Sequence, residues 1–202
     1  MEPFADFYLG GHPHYSTDEV LTALFRSGGH RFSHRWTRLL EIRGEPAGLL
    51  LSFPGSKVLS LSAGLAFRLL QVYGPLGFVR LAARLVDYSG FREAESDEYY
   101  IAQLAILPGF QRRGLGSLLL EQAEAQALAS GLLKCSLFVD SENAPALSLY
   151  QRHGYQVVGT ETSRYPGFEI PRRVFFRMLK TLNDAAENSP AAISGASPGP
   201  HP

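Results

Sequence analysis

The stretch QLAILPGFQRRGLGSLLLEQAEAQ, residues 103–126, limits the architecture more than any other part of the chain. An apolar run ends at Pro108, and a loop with Gln111, Arg112, Arg113, Gly114 and Gly116 follows. The loop leads directly into Leu, Glu, Gln and Ala, all strong helix formers. A second apolar run, Lys134–Val139, begins just past a helix stop at Gly131. Strand, helix and strand in that order form a crossover, and a crossover joins parallel strands. The sequence therefore predicts a strand over 99–107, a helix over 114–130 and a strand over 134–139, with the two strands parallel.

The flanking segments add helices and strands in mixed order, so the fold class is α/β with a mixed sheet. Ser16-Thr17-Asp18-Glu19 is a capping box opening a helix whose apolar face is Val20, Leu21, Leu24 and Phe25, ended by Gly28-Gly29. Residues 36–52 read as two strands around a turn at Arg43-Gly44-Glu45. Residues 55–92 are rich in Leu, Ala and Phe; the spacings Leu65, Leu69, Val72 and Leu81, Leu85, Tyr88 predict two helices broken at Tyr73-Gly74-Pro75. Asn143 caps a helix with Pro145 in its first turn, closed by Gly154. Strands near Tyr155–Tyr165 and Arg173–Leu179 complete the pattern.

Length and charge narrow the classes. The 202 residues suit one domain, 1–180, with a helical insertion at about 55–92. Nineteen basic residues balance nineteen acidic ones, which speaks against a sequence-independent nucleic-acid binder. A single cysteine, Cys135, precludes a disulfide framework. The pair His12 and His14 has no Cys or acidic residue beside it, so no metal site is expected. The N-terminus lacks a basic region and a long apolar run, and Lys57, Arg68 and Arg80 interrupt the longest apolar candidates elsewhere. No signal peptide and no membrane partner are expected, and a cytoplasmic location is the default. Fourteen of the 22 residues from Thr181 to Pro202 are Ala, Pro, Gly or Ser, so 181–202 is expected to be a disordered tail.

The loop at 111–117 has the makings of an anion cradle. A helix starting at Gly114 presents free N–H groups and a partial positive charge, glycines permit close approach, and Arg112 and Arg113 add charge. No Lys-Ser/Thr follows the second glycine, so this is not the P-loop arrangement, and the third glycine of a dinucleotide fingerprint is absent. On these residues alone, a tight turn accounts for the glycines as well as a phosphate site does.

Gln111-Arg112-Arg113-Gly114-Leu115-Gly116 resembles the Q/R-x-x-G-x-G/A motif of the Gcn5-related N-acetyltransferase (GNAT) superfamily. The preceding Gln103-Leu104-Ala105-Ile106, and the block Asn143 to Tyr150 followed by Gly154-Tyr155, are similar to that family too. The spacing of the blocks is similar to that of its ribosomal-protein alanine acetyltransferases. The resemblance covers roughly residues 95–180. It implies a central, mostly antiparallel sheet with a splayed parallel pair holding acetyl-CoA as co-substrate. It also implies backbone contacts from Leu104, Ala105 and Ile106 to the pantetheine arm, pyrophosphate contacts from Gln111 through Ser117 (Arg112, Arg113, Gly114, Leu115 and Gly116 between them), and a bond from Asn143 to the cofactor.

Tyr150 matches the family's general acid, which serves the departing CoA thiolate. The glutamate of the ribosomal-protein enzymes is replaced by Phe138; Glu98, directly or through water, and Tyr100 as a relay are the candidate base groups. The leading expectation is an N-acetyltransferase acting on a small-molecule amine or a peptide or protein N-terminus by direct attack. The alternative is a non-catalytic acyl-CoA-binding or sensor module. The insertion is expected to form an apolar lid over the acceptor; a homodimer face is the second use for it, and a membrane contact the least expected.

Overall fold

The computed structural model describes residues 14–85, 92–162 and 173–182. Helix α1 spans Thr17–Arg26, strand β1 Thr37–Ile42, β2 Glu45–Pro54, helix α2 Val58–Leu85 and β3 Tyr99–Ile106. Helix α3 then spans Leu115–Ala129, β4 Lys134–Asp140, α4 Ala144–Arg152, β5 Gln156–Thr162 and β6 Val174–Thr181. The strands form one sheet in the order β1-β2-β3-β4-β6-β5. Every neighbouring pair is antiparallel except β3 and β4, which are parallel.

Local sequence explains most boundaries. The capping box closes as expected: the Ser16 amide donates to the Glu19 carboxylate at 2.8 Å, and the Glu19 amide donates to Ser16 Oγ at 3.3 Å. Arg43 and Gly44 both have positive φ, 56° and 81°, the backbone of a two-residue hairpin turn between Ile42 and Glu45. α2 breaks where Gly74 and Pro75 predict: Gly74 adopts φ 67° and ψ 174°, dividing the element into two legs.

Three apolar clusters hold the layers together. On one sheet face, Leu50, Ile101, Leu137, Val139 and Met178 pack against Leu119, Leu120 and Ala123 of α3 and Tyr150 of α4. On the other face lie Leu51, Phe53 and Tyr100 with Leu61 from the first leg of α2. The third cluster joins helices: Val20 and Leu24 of α1 meet Leu69 of the first leg and Leu81 of the second. Gly64 makes that junction close, because a Cβ there would stand 1.9 Å from the Gly29 carbonyl oxygen. Alternation along β3 divides its side chains between the faces, with Tyr99 and Ile101 turned toward α3 and Tyr100 toward α2.

Several expectations need correction. Phe25 is 47% exposed and touches His34 edge-on, so the buried face of α1 is Val20 and Leu24 with Leu21 beside them. α1 stops at Arg26 with Ser27 as its cap, ahead of the Gly28-Gly29 pair. Gly114 is the N-cap of α3, and the helix begins at Leu115. The last strand runs through Thr181, and Leu182 is buried in the core, so the domain extends two residues into the segment expected as tail. His12, Tyr88, the far end of the strand expected over Tyr155–Tyr165, and residues 183–202 lie outside the described residues.

Candidate active site

β3 and β4 pair only at Tyr99–Cys135, Tyr100–Ser136 and Ile101–Leu137. Beyond Ile101 the strands part. Residues 103–106 stay paired to β2, and 138–140 stay paired to β6. The facing edges of these two segments therefore carry backbone N–H and C=O groups that the sheet does not use, and an extended, amide-bearing ligand can satisfy them. The split coincides with a bulge. Leu51 pairs with Gln103 and Ser52 with Ile101, leaving Ala102 as the extra residue. Nothing in the sequence marks Ala102; a bulge is specified by the pairing of two strands and has no local signature here.

Leu104, Ala105 and Ile106 line the free edge. At its end, Gln111 Nε2 donates to the Ile106 carbonyl at 3.1 Å and ties the loop to the strand. Arg112 and Gly114 both adopt positive φ, 60° and 77°. For glycine that conformation is inexpensive, whereas for Arg112 it is uncommon and marks a loop held by its surroundings. No side chain caps α3, so the first-turn amides of Leu115, Gly116 and Ser117 remain available to an anion. Arg113 lies over the Phe110 ring at 5.5 Å, and Arg112 is exposed. Ser117 Oγ is bonded to His153 Nε2 at 2.9 Å, which locks the first turn of α3 to the end of α4.

α4 contributes Asn143 and Tyr150. Asn143 Oδ1 accepts from the Ala146 amide at 3.2 Å as N-cap, which fixes the side chain with its NH₂ turned away from the helix amides. Tyr150 is 7% exposed and packs with Leu137 and Val139 of β4 and with the partly buried Leu104 and Ile106 of β3, on the walls of the split. Its ring meets Tyr155 at 6.0 Å, and its hydroxyl takes no hydrogen bond among the described residues. Burial pushes that hydroxyl up to about 12, so it is protonated at neutral pH and is a hydrogen-bond donor. Cys135, by contrast, is fully buried and pushed up to about 12 by its burial, which makes it an inert core thiol.

The candidate base groups sit on the opposite face. Glu98 is 3% exposed, and Arg177 Nη2 donates to both of its oxygens at 2.6 Å, with the Glu95 amide adding a bond at 3.0 Å. Its lone pairs are thus engaged, which counts against Glu98 as the group that takes a proton from the acceptor. Tyr100 is buried beside a second ion pair. Arg31 bonds Glu93 through two N–H groups, one at 2.7 Å, and both charged groups act on the Tyr100 hydroxyl. Burial, with the Glu93 carboxylate next in effect, raises the Tyr100 pKa, so it too stays protonated. Phe138 lies on this same face, packed against the cluster of Phe53, Leu61 and Tyr100. Among the described residues, no group of three His, Cys, Asp or Glu side chains is placed to hold a metal, and no helix is long and apolar enough to cross a membrane.

Comparison with known proteins agrees with this geometry. A profile of the acetyltransferase (GNAT) family matches residues 4–155. The [ribosomal protein bS18]-alanine N-acetyltransferase of Salmonella typhimurium is 36% identical over 70 residues, covering 35% of this chain and 47% of that protein. An uncharacterised N-acetyltransferase of Mycobacterium tuberculosis is 28% identical over 81 residues, covering 40% of this chain and 52% of its own. The chain spans about half the length of these curated relatives. The crystal structure of an N-acetyltransferase from Staphylococcus aureus Mu50 superposes with a TM-score of 0.63 at 20% identity, over 89% of this chain and 90% of that one. At that identity the likeness concerns the fold: a mixed six-stranded sheet with one parallel pair, flanked by helices.

Proposed function

Because the chain belongs to the acetyltransferase (GNAT) family, we propose that it transfers an acetyl group from acetyl-CoA to the primary amine of a small molecule or of a peptide or protein N-terminus. The observation that carries this reading is the split between β3 and β4 after Ile101, with an uncapped helix start at one end and the Tyr150 hydroxyl in its wall. Pantetheine carries amides that suit the free strand edges, and the pyrophosphate suits the amides of Leu115 to Ser117 with Arg112 nearby. A strand N–H beside the Ala102 bulge supplies the donor for the developing oxyanion.

The split opens the sheet between its faces, and that suits direct attack. Tyr150 stands on the α3 face, where the thiolate would depart; Tyr100 and its ion pairs stand on the α2 face, where the amine would arrive. Complete proton transfer from a tyrosine near 12 to a thiolate of pKa about 8.5 runs uphill, so Tyr150 acts chiefly by hydrogen-bonding the developing charge on sulfur. With Glu98 held by Arg177, proton removal from the amine falls to water relayed past Tyr100 toward Glu93.

The engagement of both carboxylates also favours a second reading, a module that binds acyl-CoA without turning it over. Release of free thiol separates the two. The whole protein, incubated with acetyl-CoA and a panel of amines and amino-terminal peptides, is expected to liberate CoA in an acceptor-dependent way. Tight CoA binding with no thiol above background for any acceptor would leave only the binding module.

A further inference from the structure

We propose that the outer face of α2 docks on an anionic lipid surface, laying the helical insertion flat against a membrane without crossing it. This inference is independent of the acyl-transfer reading. Both legs of α2 turn their inner sides to the same cluster, the first through Leu65 and Leu69, the second through Phe78 and Leu81. Their outer sides remain apolar. Leu59 is 82% exposed, Phe67 61%, Leu76 67% and Val79 64%, with Leu70 at the margin. Leu59, Ala63, Phe67 and Leu70 follow one another at helical spacing, so the first leg bears a continuous apolar strip. More large apolar side chains stand exposed on α2 than on any other element among the described residues. A helix that is apolar on all sides is one that is covered on all sides, and the described residues cover only the inner side of this one.

Charge selects the occupant. Every charged residue between positions 55 and 85 is basic: Lys57, Arg68, Arg80 and Arg84, with no Asp or Glu among them. Lys57, two residues before Leu59, and Arg80, next to Val79, are both exposed. The whole chain is charge-balanced, so this basic excess is local to residues 55–85 and is offset by acidic residues elsewhere, beginning with Asp87. A second copy related by a two-fold axis would set these cations against each other with no acid within residues 55–85 to pair them. The exposed groups are Leu, Val and Phe, whereas protein interfaces concentrate their binding energy in Trp, Tyr and Arg. Aliphatic and Phe side chains flanked by Lys and Arg are the composition of a helix lying at the lipid–water boundary, where acyl chains receive the apolar strip and headgroup phosphates the cations.

The test uses the full chain and vesicles of phosphatidylcholine with or without phosphatidylglycerol. Co-sedimentation is expected with the anionic vesicles, weaker by about tenfold or more with the neutral ones, and reduced by added salt. The variant carrying Phe67→Glu and Leu76→Glu, both at exposed positions, should keep the wild-type melting temperature yet lose about tenfold or more in partitioning. Wild-type protein that stays in the supernatant with anionic vesicles overturns the proposal. So does undiminished binding by the double variant. A doubled mass in light scattering without lipid, reduced to a single chain in the variant, would assign the face to a second copy and overturn it as well.

Discussion

Tyr150 carries the sharpest expectation at the level of single residues. Tyr150→Phe removes only a hydroxyl that bonds nothing else among the described residues, so packing against Tyr155 survives. If that hydroxyl meets the departing sulfur, kcat should fall by about 10²-fold while the acetyl-CoA KM stays near wild type; wild-type turnover would make the residue structural. His30 sets a second expectation, on stability. Ser27 Oγ gives its proton to the Leu24 carbonyl, so the 2.8 Å contact with His30 must use the proton on Nε2. Nδ1 is then bare, buried and without a partner among the described residues. Burial, helped by the charge of Arg68, lowers the His30 pKa below 6.5. A depressed pKa means that stability is complete above the unfolded value and is lost as pH falls toward the folded one. The melting temperature should drop on acidification from about pH 7 to about pH 5, and His30→Gln should flatten that slope. The helix starts that carry Gly114 and Asn143 could be read from the sequence because their signals are contiguous. The bonds from Arg177 to Glu98 and from Arg31 to Glu93 could not, since their partners are 79 and 62 positions apart and no local pattern encodes the pairing.

Elements were more legible than their edges. The capping box, the Arg43-Gly44 turn and the Gly74-Pro75 break each place their stereochemical requirement in adjacent residues, and each appears where the sequence puts it. The parallel pairing of β3 with β4 followed from the crossover alone. The Ala102 bulge did not, because its position depends on β2 and β4 together. Glu98 belongs to this scale, since it joins the start of β3 to β6 through Arg177. Glu98→Gln leaves a guanidinium with 19% side-chain exposure beside a neutral amide, and should cost about 3 kcal/mol of stability. kcat should fall less than tenfold if the pair is architectural. A loss of about 10²-fold in kcat without any change in melting temperature would restore Glu98 to the role of base.

For the whole molecule, α2 braces α1 through Leu69 and Leu81 while Leu61 closes over Tyr100, so the insertion couples the helical side to the face on which the amine would arrive. Replacing Tyr73–Phe78 with a short polar turn uncouples the two legs. The acceptor KM should rise, the acetyl-CoA KM should hold, and the melting temperature should fall because Tyr73 and Phe78 pack on the α1 cluster. Unchanged kinetics for both substrates would separate the insertion from catalysis. The strand order has a consequence for how the chain is made. β6 is the last strand among the described residues yet lies inside the sheet, between β4 and β5. During synthesis β5 has no neighbour, and β4 lacks one edge, until residues 174–181 have left the ribosome. The nascent protein therefore carries open edges on β4 and β5 late in synthesis, between the emergence of residue 140 and that of residues 174–181, and that interval is when wrong strand pairing is open to it.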